Sequence, residues 1–169
     1  AAEEANRRIV EESTLEQWIP TYRLSDDGQT ISEGQAFDCT DMYIPSDFSG
    51  FGALTVLTVD IEEGLAITDS LGVLSDGQTV YASTDRLTVA SNRAPEWDWA
   101  TGEPITDEDD YTTSLHTFDI TDAGRTEYVA SGSVRGSLLS QYSLSEHDGH
   151  LRVATTEGTI WGRNDDSQS

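Results

Sequence analysis

Along most of the chain, apolar and polar residues alternate in short runs separated by turn residues. In the run 52–61, G-A-L-T-V-L-T-V-D-I, Leu54, Val56, Thr58 and Asp60 share one face of an extended chain. Ala53, Thr55, Leu57, Val59 and Ile61 share the other. Both faces are largely apolar, which predicts a strand lying between two layers. Further strands are predicted over 65–74, 78–84, 86–92, 112–120, 125–134, 137–145 and 149–156. The breaks carry turn chemistry at Asp27-Gly28, Asp76-Gly77, Asp148-Gly149 and Glu157-Gly158. No convincing helical period interrupts these runs. The predicted class is all-β, with strands joined mainly as antiparallel meanders.

Two segments break the pattern. Residues 1–24 predict a short helical arm, A-A-E-E-A-N-R-R-I-V-E-E-S, with acidic residues in the first turn where the helix dipole favours them. Ser13 and Glu16 have the spacing of a capping box for a second, shorter turn that Pro20 stops. Leu15, Trp18 and Ile19 would anchor this arm on the remaining domain, residues 25–169. Residues 93–111, R-A-P-E-W-D-W-A-T-G-E-P-I-T-D-E-D-D-Y, have two prolines and no strand period, so they predict an excursion between two strands.

The chain also repeats itself. Asp76 to Val89, D-G-Q-T-V-Y-A-S-T-D-R-L-T-V, returns in altered form as Asp148 to Trp161, D-G-H-L-R-V-A-T-T-E-G-T-I-W, 72 residues later. Setting aside the 19-residue excursion leaves 53, close to the ~40 to 50 residues of one four-stranded propeller blade. The repeat therefore predicts corresponding strands in consecutive blades.

T-S-L-H-T-F-D-I (113–120) and Y-V-A-S-G-S-V-R-G-S-L-L-S-Q-Y-S-L-S-E-H-D-G-H-L-R-V-A-T-T (128–156) carry a family resemblance. So do L-E-Q-W-I-P-T-Y (15–22), D-C-T-D-M-Y-I-P (38–45) and V-Y-A-S-T-D-R-L-T-V-A-S (80–91). Together these segments resemble bacterial and archaeal secreted proteins that contain a C-terminal β-propeller domain, distant relatives of WD40-type propellers. The resemblance implies a propeller fold and a secreted or cell-surface location. It implies no settled activity and brings no catalytic motif. Propellers close with about 4 to 8 blades, whereas this chain has residues for about two, three at most. The expectation is a partial β-propeller whose terminal blades expose strand edges, and such edges invite pairing with another chain.

Charge narrows the partners. There are 32 Asp+Glu against 9 basic residues, a net of −23, and every basic residue is Arg. Nucleic acid is excluded, because phosphate recognition needs clustered Lys and Arg. No apolar run approaches the ~18 to 20 residues of a membrane-spanning helix. The acidic, Lys-free composition points to adaptation to high salt, where screening relieves self-repulsion. The rival is a calcium-loaded extracellular protein using the same carboxylates as ligands. Cys39 is the single cysteine, so no disulfide can form within these residues. It could still pair with a segment outside them. No signal peptide is visible at A-A-E-E-A-N, although one removed earlier would leave the same start.

Candidate chemistry is sparse. Trp97 and Trp99, in P-E-W-D-W, would point the same way if extended, and exposed paired indoles suit sugar rings or peptide surfaces. Asp107, Glu108, Asp109 and Asp110 form the densest carboxylate run and are the candidate Ca2+ ligands, without the spaced order of a calcium loop. His147 and His150 flank Asp148-Gly149 and, with Glu146, offer a weakly spaced metal set. His116 shares a strand face with Phe118 and Ile120, so a core role is expected for it. No G-x-S-x-G or H-E-x-x-H motif occurs. The expected function is non-enzymatic: binding, or self-assembly with other copies or with the remainder of a propeller through open blade edges. The alternative is carbohydrate or peptide binding through the Trp97/Trp99 loop.

Overall fold

The computed structural model describes residues 2–94, 97–98, 100–101, 103–104 and 111–157. Helix α1 (Ala2–Glu12) leads into a 3-10 turn at Leu15–Gln17. The hairpin β1 (Thr21–Asp26) and β2 (Gln29–Gln35) follows. Then come β3 (Met42–Tyr43), β4 (Ala53–Asp60) and β5 (Ala66–Leu74), which form a three-stranded sheet in the order β3-β5-β4. Next are β6 (Thr79–Ala82), β7 (Arg86–Arg93), the short hairpin β8 (Trp97–Asp98) and β9 (Glu103–Pro104), β10 (Thr112–Asp119) and β11 (Glu127–Arg135). The last hairpin is β12 (Leu144–His147) and β13 (His150–Val153).

Strands β6, β7, β10 and β11 make one four-stranded sheet in the order β11-β10-β7-β6, antiparallel throughout. This meander is a complete blade. Strict alternation along β7 and β10 gives it two buried faces. Leu87, Val89 and Phe118 meet Leu71 and Val73 of β5 and Leu54 and Val56 of β4. On the opposite face Ala90 and Leu115 meet Leu138, Leu144, Leu151 and Val153. The four-stranded sheet is thus the middle layer, with the β3-β5-β4 sheet on one side and the β12–β13 hairpin on the other. The all-β, partial-propeller architecture read from the sequence is the architecture observed.

Polar struts tie the layers together. Thr126 N–H donates to Asp69 Oδ2 at 2.7 Å, and its hydroxyl lies 2.8 Å from that of Thr58. On the other side Ser83 Oγ donates to Glu146 Oε2 at 2.7 Å, and Glu146 N–H donates to Tyr81 Oη at 3.1 Å.

Local expectations fare unevenly. Asp27-Gly28 and Asp148-Gly149 are two-residue hairpin turns with positive φ at both positions, the geometry that Asp-Gly favours. Asp76-Gly77 is no hairpin turn: it sits where the chain crosses from β5 in one sheet to β6 in the next. The β4–β5 turn uses Gly64 and Leu65 in the left-handed region instead. The strand expected over 137–145 begins only at Leu144. Before it, Ser137 makes a lone bridge to Thr156, and Ser140 Oγ accepts from Tyr142 N–H to open a 3-10 turn at Gln141–Ser143. The capping box is shifted by one residue, with Thr14 as the cap and Gln17 Oε1 accepting its N–H at 3.0 Å. Ser13 Oγ instead accepts from Trp18 Nε1 at 2.7 Å. The arm does not bury its anchor: no residue of α1 is buried, Leu15 and Trp18 are exposed, and Ile19 is half-buried.

Candidate functional site

The segment P-S-D-F-S-G-F-G (45–52) joins β3 to β4, and its shape is dictated by Ser75 and Asp76. Asp76 Oδ1 accepts from Gly52 N–H at 3.0 Å, and Asp76 N–H donates to Ser49 O at 2.9 Å. Ser75 N–H donates to Gly52 O at 3.0 Å. Gly50 has φ of 117°, and any Cβ there would collide with the Asp76 carboxylate. Only glycine satisfies both demands. The Asp-Gly pair that the sequence marks as a turn thus serves as the brace of a neighbouring loop.

This braced loop raises two phenylalanines. Phe51 is 90% exposed, and its ring meets Phe48 edge-on with centroids 4.8 Å apart. Arg93, at the end of β7, places its guanidinium 5.3 Å from the Phe48 ring centroid and donates from Nη1 to Phe48 O at 3.3 Å. A cavity of about 230 Å3 lies among Phe48, Phe51, Asp76, Asn92 and Arg93. An apolar wall beside one cation and one carboxylate suits an amphipathic side chain of a partner. A rigidly held, exposed aromatic ring costs little ordering entropy on binding. The period of apolar and polar positions does not mark this loop. The signal was F-S-G-F-G, two aromatics around a glycine between a proline and a strand, which alternation alone does not score.

The residues singled out from the sequence are scattered. Trp97 lies on β8, its backbone paired with Pro104 of β9. Trp99 and the run Asp107, Glu108, Asp109 and Asp110 lie outside the described residues. The set Glu146, His147 and His150 does not assemble. Glu146 turns to Ser83, His147 Nε2 lies 3.3 Å from Asp148 Oδ2, and His150 Nδ1 lies 2.8 Å from Asp148 O. Among the described residues no three His, Cys, Asp or Glu side chains converge as a metal site. Cys39 is free and exposed.

His116 is buried as expected, beside Phe118. Its Nδ1 lies 3.1 Å from Tyr128 Oη, and burial pushes its pKa below the ordinary histidine value. Cross-strand Arg86 and Asp119 approach to 2.9 Å. The hydroxyl and N–H of Thr121, with Arg86 beside them, hold the Asp119 carboxyl below the usual carboxylate range.

A family model described as a beta propeller domain matches residues 1–169. No curated protein matches the chain, and no solved structure does.

Proposed function

The chain belongs to the β-propeller domain family, and from that premise we propose that it is a non-enzymatic binding and assembly module of a secreted or cell-surface propeller, its bare blade face covered by a second copy. One observation carries this reading. Strand β4 packs half-buried Leu54 and Val56 on its inner side, yet on its outer side Leu57 and Val59 are each 40% exposed, and Ile61 in the turn that follows is 79% exposed. Phe37 covers only the part of that outer face beside Gly72, where its ring occupies the space a Cβ would need. The rest is an apolar sheet face of the kind that another blade covers in a closed ring.

Propellers close with about 4 to 8 blades. The described residues supply one complete blade and parts of two more, so closure draws on strands from outside them. A face joined to a different face of the next copy gives a ring if the rotation closes and a filament if it does not. Support for a non-enzymatic role comes from the buried histidine, which pairs with Tyr128 rather than with a serine.

Light scattering after size exclusion in molar salt tests the reading. The expected result is a mass that is a multiple of 18.5 kDa, reduced to the single-chain mass by Leu57→Glu with Val59→Glu. A compact native protein of single-chain mass would remove the assembly reading.

A second reading, carbohydrate or peptide binding through the Trp97/Trp99 excursion, gains from the Phe48/Phe51 cavity. Arg93 and Ala94, the first two residues of that excursion, line the cavity. Glycan and peptide arrays with Phe51→Ala and with the Trp97→Ala, Trp99→Ala pair test it. Unchanged binding by both variants would dispose of it.

A further inference from the structure

The imidazole of His116 leaves one nitrogen to be explained. The residue is 1% exposed, Nδ1 faces Tyr128 Oη at 3.1 Å, and no atom of the described residues bonds Nε2. Buried polar atoms are nearly always hydrogen-bonded, and leaving one unpaired costs about 1 to 3 kcal/mol. Beside His116 lies a cavity of about 10 Å3 whose lining includes Asp47, Ser49, Ser114 and Ser131. Water needs a polar site with roughly 10 to 15 Å3 of space and two to four polar partners. This cavity meets both conditions and is too small for an organic ligand.

We propose that the cavity is a structural water site, with one water bonded to His116 Nε2 and to the polar groups of the 45–49 loop. The chemistry of the lining sets the direction of the bonds. A carboxylate accepts only, whereas the serine hydroxyls donate or accept. A phenol hydroxyl donates more readily than it accepts, so the Tyr128 hydroxyl faces an unprotonated Nδ1. The single proton of the neutral imidazole then sits on Nε2, which donates to the water while the water donates toward Asp47. The water joins β10 and β11 to the loop that carries Phe48, adding a second brace to the one made by Asp76. It fixes the aromatic loop to the blade at the layer boundary.

Two measurements on the unaltered protein test this. A high-resolution crystal structure is expected to show one ordered oxygen within about 2.7 to 3.2 Å of Nε2. Long-range 1H–15N NMR of the histidine rings is expected to report Nε2 protonated and Nδ1 bare for His116. His116→Phe is expected to expel that oxygen. A serine hydroxyl bonded directly to Nε2, the opposite tautomer, or a stoichiometric metal in elemental analysis with density at the site would each overturn the proposal.

Discussion

The side-chain amide of Asn92 engages the backbone of Leu138 with both of its ends. Nδ2 donates to Leu138 O at 3.2 Å, and Oδ1 accepts Leu138 N–H at 2.9 Å. Asn92 is the penultimate residue of β7, while Leu138 belongs to the segment that begins the next layer. Thr113, the cross-strand partner of Asn92, places its hydroxyl 3.0 Å from Asn92 Oδ1 and 2.8 Å from Gly136 O. One amide therefore stands in for a sheet ladder where the chain leaves the blade.

Removing that amide leaves a part-buried N–H and C=O without partners. Asn92→Ala is expected to lower stability by about 1 to 3 kcal/mol, read from denaturant unfolding in molar salt. Asn92→Asp keeps the acceptor but turns a carboxylate oxygen toward Leu138 O, so it is expected to be no better than alanine. Wild-type stability in both variants would show the clamp to be idle.

Gly72 and Phe37 make the second prediction. The Phe37 ring lies where a Gly72 Cβ would be, and Phe37 is almost fully buried. Gly72→Ala must push the ring off the sheet, an overpacking cost of about 1 to 3 kcal/mol. Phe37→Ala is expected to cost about 3 to 5 kcal/mol through the lost burial and the gap left behind. A melting temperature unchanged in Gly72→Ala would mean that the ring is not packed there.

His116 sets a pH dependence. Burial lowers its pKa in the folded protein relative to the ordinary 6.5, so below that pH the unfolded chain binds the proton more readily. Stability from this group is fully present above about pH 6.5 and is lost as pH falls toward the folded pKa, at no more than about 1.4 kcal/mol per pH unit. Among the described residues the titratable groups facing it are Asp47 and the Tyr128 hydroxyl. His116→Gln is expected to flatten the slope between pH 7 and 5 in unfolding midpoints. Asp119 acts separately: its lowered pKa gives a contribution present above the ordinary carboxylate value and lost only as pH falls through the folded pKa. A slope that survives His116→Gln would place the titration elsewhere.

The charge of −23 makes salt the fourth variable. Screening length falls from about 10 Å at 0.1 M to about 3 Å at 1 M salt, so melting temperature is expected to climb steeply over that range. Millimolar calcium at low salt is expected to recover only part of the gain. Full recovery by calcium would favour specific carboxylate sites over general screening.

Where local pattern and tertiary context agree, the sequence was legible. Val56, Val73, Val89 and Phe118 sit at alternating positions, and a period of two needs no partner to be seen. Asp27-Gly28 and Asp148-Gly149 likewise carry their hairpin geometry within two residues. Asp76-Gly77 shows the limit of that logic. The same dipeptide makes no hairpin because β5 and β6 belong to different sheets, and its carboxylate is spent on a loop 24 residues away in sequence. Leu138 looked like strand, yet its backbone is taken by Asn92, a partner 46 residues distant.

The sequence by itself determined the all-β class, the hairpin turns at Asp27-Gly28 and Asp148-Gly149, and a strongly acidic composition. These follow from side-chain period, turn residues and composition, which are local and additive. The strand expected over 52–61 between two layers is instead covered on one side only, because it lies in an outer sheet. Tertiary structure alone decided that Asp76 braces Gly50 and Gly52, that Phe48 and Phe51 stand at the surface, and that Phe37 packs on Gly72 of β5 while the outer side of β4 stays exposed. Those outcomes depend on which distant segments meet, and contacts between them leave no periodic trace in the chain.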